Sequence, residues 1–264
     1  GRPEMIASAE AQWGTTLSVE GADLIGAAEH LRRAEALLRQ QPDQLEAARL
    51  AQIIFELGSV AAQRGDLREA TTLYRETIAV SQETTSAQAR LFQILGHNNL
   101  AYHLLLLNDP TALDYARAGL QLAQEQGELG LQPFLLSTLG EIELSRDDLA
   151  AAEKYFTEGL TLAGRLAMPE RIAGLTANLG RVAQRRGETA LAIHRLSTAL
   201  AKVDALGLPH LAAQIRLWLV PLLPLTEAQA QLAAARALAE SGGRKRLLEE
   251  IEQLERRVLD GKSS

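Results

Sequence analysis

The chain has 264 residues, of which 47% are hydrophobic, 4% aromatic and 23% charged, and its formal net charge is −6. This mildly acidic balance argues against nucleic-acid binding, which normally requires a basic face. The sequence contains no cysteine, which excludes disulfides, thiolate metal sites and thiol nucleophiles. The longest strongly apolar run, around residues 217–225, is too short to span a bilayer.

Helix-forming residues dominate the composition: Ala, Leu, Gln, Glu and Arg are abundant, and β-branched residues are sparse. This balance favours α-helix throughout. The sequence begins Gly-Arg-Pro without an initiator methionine, so we expect it to be a piece of a longer protein. No secretory signal is recognisable, and we expect a cytoplasmic protein.

In chain order, apolar residues at spacings of three and four predict a first helix pair over residues 3–19 and 22–40, with Trp13 filling its core. Asp43 and Glu46 have the spacing of a capping box for the helix that follows.

In the second pair, Gly65 is suited to the left-handed conformation that closes a helix. Asp66 and Glu69 form the pattern of a further capping box. In the third pair, Asp109 is the expected N-cap and Pro110 the expected first helical residue.

The sixth pair begins at His210 and contains Trp218, which we expect to fill its core. Its prolines should stop the first helix early, and Thr226 has the capping-box spacing for a helix over residues 227–240. A last amphipathic helix follows. We expect it to cap the final repeat, with a linker helix or a dimerising helix as the alternatives.

One frame recurs along the pairs. The first helix carries a large apolar residue followed by a small one, the turn carries Gly or an acidic residue, and the second helix carries a small residue and then a bulky one. The frame residues are Leu57, Gly58, Gly65, Ala70 and Tyr74; Leu100, Ala101, Ala112 and Ala116; Leu139, Gly140, Asp147, Ala152 and Phe156; and Leu179, Gly180, Gly187, Ala192 and Leu196.

This frame resembles the tetratricopeptide repeat (TPR). Successive units are 43, 39 and 40 residues long, measured between the small residues at 58, 101, 140 and 180, whereas an ordinary TPR has about 34. Long units of this kind resemble the TPRs of kinesin light chains, of the spindle adaptor LGN and of MalT-type bacterial sensors.

The resemblance implies an all-α fold, a right-handed α-α superhelical solenoid with about six helix pairs and a C-terminal capping helix. We expect one domain over residues 1–264. Its repeats should cover about 3–41, 43–84, 86–127, 131–168, 170–207 and 209–240, with the cap at 244–260.

The resemblance also implies that the first helices of the pairs line a concave groove, in which Asn side chains bind the backbone of an extended peptide. Only Asn99 and Asn178 match that pattern, because Thr138 takes the place in the fourth pair. A carboxamide both donates and accepts hydrogen bonds, so it suits any peptide unit. The expected groove residues are Asn98, Asn99, Tyr102, Glu141, Asn178, Arg181, Gln184 and Arg185.

Each of these residues has a structural alternative. The asparagines could instead cap or pack against a neighbouring helix, and Tyr102 could fill space between helices. Arg181 and Arg185 lie one turn apart and, with Arg186 nearby, could hold a carboxylate or phosphate, or could form a solvated helix face.

The sequence therefore predicts a protein-interaction module that binds a peptide or partner segment. The alternative is a ligand-sensing domain of a larger bacterial signalling protein or transcription regulator. We expect no enzyme activity, cofactor, metal, direct nucleic-acid partner or membrane partner. Other domains of the same full-length chain are possible partners, and the terminal repeats could mediate oligomerisation.

Overall fold

The computed structural model describes residues 3–20, 23–40, 44–241 and 245–260. All regular structure in these ranges is helical, as the composition predicts. The helices are α1 (Pro3–Glu20), α2 (Leu24–Leu38), α3 (Gln44–Gln63), α4 (Leu67–Ser81), α5 (Ala87–Leu106), α6 (Ala112–Glu125), α7 (Gln132–Ser145), α8 (Leu149–Arg165), α9 (Pro169–Arg185), α10 (Thr189–Ala205), α11 (Pro209–Leu219), α12 (Leu225–Ser241) and α13 (Lys245–Asp260), with a 3₁₀ turn at Val220–Leu222.

Contacts pair α1 with α2, α3 with α4, α5 with α6, α9 with α10 and α11 with α12. Gly140 of α7 packs on Phe156 of α8, and α13 follows, which confirms the prediction of about six pairs and a final helix. The helices form two compact units, Gly1–Thr138 and Leu139–Ser264, here called unit 1 and unit 2. The prediction that all pairs belong to a single domain, with the repeat limits given above, stays a prediction.

The frame works through close packing of a small residue against a bulky one. A Cβ built on Gly58 lies 2.7 Å from the ring of Tyr74, and one built on Gly140 lies 2.4 Å from the ring of Phe156. Both rings are almost fully buried. Glycine therefore lets the two helices of a pair approach until the bulky side chain fills the contact.

The turns inside the pairs use a left-handed residue. Gly65 and Gly187 have φ of 85° and 77°, and Asp147 takes the same conformation with φ of 64°. Asp66 then caps α4 as predicted, because its Oδ1 accepts a hydrogen bond from the N–H of Glu69 at 3.1 Å.

Two predicted helix starts are wrong. α6 begins at Ala112 rather than at Pro110, because Asp109 uses its carboxylate in a turn, where it accepts from the N–H of Thr111 at 2.9 Å. α12 begins at Leu225, directly after Pro224, so Thr226 lies inside the helix and cannot cap it. The capping box of Asp43 with Glu46 lies outside the described residues, as do Ala22 and Arg244.

The two ends differ from each other. Trp13 is 62% exposed, so the prediction that it fills a core is wrong. α1 packs mainly on α2, which leaves this indole stacked near His30 with ring centroids 6.3 Å apart. α13 instead buries Leu247 and Ile251 against α11 and α12, as expected of a cap.

Among the described helices, none combines the length and apolarity that a bilayer-spanning segment needs. Nor do the described residues contain a group of three or more His, Cys, Asp or Glu side chains placed to hold a metal ion.

Candidate functional site

In unit 2, polar side chains on or just after the first helix of one pair contact side chains on the first helix of the next pair. The Nδ2 of Asn178 donates to Glu141 at 3.4 Å, across 37 residues of sequence. An Nη of Arg185 donates to Asp147 at 2.7 Å, across 38 residues. Neighbouring repeats are therefore linked by polar contacts between residues 37 and 38 positions apart, slightly less than the 40-residue repeat.

The Asn178 carboxamide is enclosed by these contacts. Only 5% of the residue is exposed. Besides donating to Glu141, it accepts a hydrogen bond from Arg181 at 3.2 Å. Both the NH₂ group and the oxygen of the amide are therefore hydrogen-bonded within the protein. Asn178 thus positions the side chain of Arg181.

Arg181 in turn covers an aromatic ring. Its guanidinium carbon lies 4.6 Å from the centroid of Trp218, which is the distance of a cation–π contact. One Nη also lies 3.9 Å from a carboxylate oxygen of Glu141. Glu141 and Asn178 on one side and Trp218 on the other therefore fix the position of this guanidinium.

Trp218 is half-buried on α11 and packs at the edge of the core formed by α9, α10 and α11. The sequence interpretation treated it as a core residue and missed its place on the surface. The repeat spacing could have found it, because Trp218 follows Asn178 by 40 residues and Asn178 follows Thr138 by the same interval.

A cavity of about 310 Å³ opens beside Trp218. α9 contributes Gln184 to its lining, and α13 contributes Glu250 and Gln253. Gln184 is half-buried, and its carboxamide makes no hydrogen bond to the described residues. Arg181, Gln184, Trp218 and Gln253 are here called the Trp218 face. It combines an aromatic surface, a fixed cation and two carboxamides that remain able to donate and accept.

The other two arginines of the predicted anion site point to acidic neighbours. Arg185 is bound to Asp147, and Arg186 contacts Glu153 at 2.7 Å. The hydrogen bond to Glu153 raises the pKa of Arg186. These ion pairs are solvent-exposed and contribute little to the stability of the fold. Each nevertheless places a carboxylate at the position that a bound anion would need. The structure therefore favours the structural alternative for these two residues.

In unit 1, the predicted residues Asn98 and Asn99 are half-buried and hydrogen-bonded to each other, Nδ2 to Oδ1, at 3.3 Å. The hydroxyl of Thr138 also donates to Asn98 at 2.9 Å. Tyr102 is 37% exposed and meets His103 edge-on. Among the side chains of Asn98, Asn99 and Tyr102, the Tyr102 ring is the most accessible to solvent.

A carboxyl group lies on the neighbouring helix of unit 1. Burial raises the pKa of Glu56. Burial also raises the pKa of Tyr74, and the charge of Glu56 adds to that rise, while side-chain hydrogen bonds with Ser59 and Asn99 oppose it. Asn99 is thus part of a polar cluster at the base of this surface.

No protein-family model matches the sequence, and neither does any curated protein. Solved structures do match. The apo form of RapI superimposes with a TM-score of 0.74 at 13% identity, covering 97% of this chain and 99% of that one. NprR, in complex with its cognate peptide NprX, gives 0.70 at 12% identity, covering 98% and 78%.

A third matching structure contains a tetratricopeptide repeat sensor. PH0952 from Pyrococcus horikoshii, a signal transduction ATPase with a tetratricopeptide repeat sensor, gives a TM-score of 0.66 at 14% identity and covers 96% of this chain and 42% of that one. The chain has the fold of TPR proteins. This confirms the resemblance drawn from the recurring frame.

On this TPR fold, the predicted residues separate into two groups. In unit 2, Glu141, Asn178 and Arg181 form one connected set, Gln184 lies at the adjacent cavity, and Arg185 is engaged elsewhere with Asp147. In unit 1, Asn98, Asn99 and Tyr102 lie along α5. Trp218 and Gln253 are the residues that the sequence interpretation did not include.

Proposed function

We propose that this TPR protein is a non-enzymatic interaction module that binds an extended peptide segment on the Trp218 face. The observation that supports this most directly is the Gln184 carboxamide, which lies at a cavity beside Trp218 and makes no hydrogen bond to the described residues. An extended backbone offers an N–H and a C=O to such a group whatever its side chains. The cavity of about 310 Å³ has room for one apolar side chain of the peptide.

The roles of the other predicted residues follow from their contacts. Arg181 presents its outer N–H groups to a peptide carbonyl or carboxylate, while Glu141 and Asn178 hold it in place. In unit 1, Tyr102 provides an aromatic contact, and Asn98 and Asn99 shape the surface around it. Arg185 pairs with Asp147, so among the predicted residues it is the one least expected to contact the peptide directly.

The comparisons support a peptide as the ligand, because NprR was solved with a peptide on the same type of fold. We further propose that the protein acts in a bacterial cytoplasm, with a protein or peptide as its partner and without direct contact to nucleic acid or membrane. The mixed charges and the net charge of −6 are consistent with this.

The test begins with a random peptide library displayed on phage and selected on the immobilised chain. The affinity of a selected synthetic peptide is then measured by titration calorimetry. Gln184→Ala should weaken binding by about tenfold or more, since a buried hydrogen bond to the peptide is lost. Gln121→Ala, an exposed glutamine on α6 in unit 1, is the matched control. Equal affinity for both variants would remove the Trp218 face from the proposal.

A sensor role in a larger signalling protein is the second candidate. The observation that favours it is the match to PH0952, where the chain covers 42% of a protein described as having a TPR sensor. The domains that adjoin this chain in its full-length sequence separate the two roles. An adjoining ATPase or DNA-binding domain favours the sensor, whereas the absence of both favours a free-standing adaptor.

A further inference from the structure

One acidic side chain stands in the wall of the cavity beside Trp218. Glu250 of α13 is the charged residue among those described in its lining. The other lining residues are uncharged, and most of them present apolar surface: Gln184, Leu217, Trp218, Pro221, Gln253 and Leu254. The cavity is therefore an apolar space with a carboxylate at its wall.

The carboxylate of Glu250 has little around it that would offset its charge. The side chain is half-buried, and its Oε1 accepts a long hydrogen bond of 3.4 Å from the carboxamide of Gln214. In the described part of the chain, the ion pairs of α13 are made by Glu252 and Glu255 and do not include Glu250. A carboxylate that is partly removed from water and lacks a counter-charge favours a bound cation.

Arg181 does not supply this cation, although it contacts the same tryptophan. Its guanidinium carbon lies 4.6 Å from the centroid of the Trp218 ring. One Nη donates to Asn178 at 3.2 Å and lies 3.9 Å from Glu141. The charge of Arg181 is thus directed towards α7 and α9, whereas Glu250 lies on α13.

We infer that the peptide side chain that enters this cavity is a lysine, which makes Glu250 a specificity-determining residue. The inference rests on the proposed function and names the residue type that the cavity selects. The methylene stem of the lysine packs along Trp218 and Leu254, and its ammonium group pairs with Glu250. A wholly apolar side chain would fill the same space but leave the carboxylate without a partner.

The hydrogen bond from Gln214 favours lysine over arginine. A guanidinium binds a carboxylate best through two parallel hydrogen bonds, one to each oxygen. Because Oε1 of Glu250 already accepts from Gln214, that geometry would require the existing bond to break. An ammonium group is a compact charge that pairs with one oxygen.

The test uses peptides selected on the immobilised full chain, as described above. Lysine should recur at one position of these peptides. Replacing that lysine with norleucine keeps the four-carbon stem and removes the charge. We expect the affinity of the unaltered chain to fall about fivefold or more in titration calorimetry, because a partly solvated charge pair is lost.

Substitutions on α13 then assign the charge to one residue. Glu250→Gln should bind the lysine and norleucine peptides equally, whereas Glu249→Gln, at an exposed position outside the cavity lining, should keep the preference for lysine. Glu250→Lys should prefer a peptide with glutamate at that position over the lysine peptide. A misfolded variant could not produce this reversal.

The results separate this inference from the proposed function. If the selected peptides lack such a lysine, or if Glu250→Gln keeps the full preference while Gln184→Ala still weakens binding, the inference is overturned and peptide binding at the Trp218 face stands. If no peptide binds the unaltered chain, or if Gln184→Ala binds as tightly as Gln121→Ala, the proposed function fails and the inference fails with it.

Discussion

Gly140 gives the sharpest test of packing at the scale of single residues. Gly140→Ala places a Cβ 2.4 Å from the Phe156 ring, which is itself fully buried and cannot swing into solvent. We expect a loss of about 1–3 kcal/mol in the free energy of unfolding, from overpacking. Urea denaturation followed by circular dichroism measures it.

Gly164 provides the control for this substitution. It lies in the last turn of α8, and nothing stands within 4 Å of a Cβ built there. Gly164→Ala should therefore stabilise the chain by up to about 1 kcal/mol through helix propensity. If both alanine variants changed stability by the same amount, the role given to Gly140 would be wrong.

We predict that His97 makes the stability of unit 1 depend on pH. Its imidazole is half-buried between α5 and α6, and its Nδ1 has no hydrogen-bond partner among the described residues. Burial lowers its pKa, and a hydrogen bond with the backbone of Tyr115 offsets only part of the shift. The unfolded chain therefore takes up a proton at His97 more readily than the folded chain does.

The stabilisation is complete above the unfolded-state pKa of about 6.5 and is lost as pH falls below it, with a limiting slope of about 1.4 kcal/mol per pH unit. Unfolding free energies measured between about pH 7.5 and 5.5 should fall less steeply for His97→Gln than for the unaltered chain. Identical slopes would contradict the prediction. The raised pKa of Glu56 acts in the opposite sense.

At the scale of helices, α13 has a structural role that deletion can test. It buries Ile251 completely against α11 and α12, and Arg236 of α12 binds Glu255 through two hydrogen bonds of 3.3 and 2.6 Å. Removing residues 242–264 should expose the apolar residues Leu217 and Leu232, so we expect aggregation in light scattering. A well-behaved smaller species would instead identify α13 as an oligomer interface.

The helix pairs could be predicted from sequence because their determinants are local or periodic. The contact of Gly180 with Leu196 follows from a fixed spacing within one repeat, and the turn at Gly187 follows from the conformational freedom of glycine. The start of α6 could not be predicted, since Asp109 and Pro110 fit a helix N-terminus as well as they fit the turn that Thr111 completes.

The candidate site could be predicted only in part. The sequence identified the helices that carry the candidate residues, but it could not show that Asn178 is enclosed by Glu141 and Arg181. Those contacts depend on how one repeat lies against the next. For the same reason Trp13 and Trp218 had the same interpretation, although the first is exposed and the second forms a surface with Arg181.

At the scale of the whole molecule, the proposed peptide site lies within unit 2. Unit 2 has the Trp218 face, with its fixed guanidinium and two available carboxamides. Unit 1 has the exposed ring of Tyr102 on α5. Because α13 lines part of the cavity at Trp218, we expect the final helix to contribute to peptide binding as well as to stability.

The two tryptophans allow the central claim to be measured directly, since unit 1 has Trp13 and unit 2 has Trp218. In a Trp13→Phe variant, the remaining indole should change its emission as a selected peptide is added, with the same dissociation constant that calorimetry gives. In a Trp218→Phe variant, Trp13 should not respond. A signal from Trp13 together with an unchanged Trp218 would contradict peptide binding at the Trp218 face.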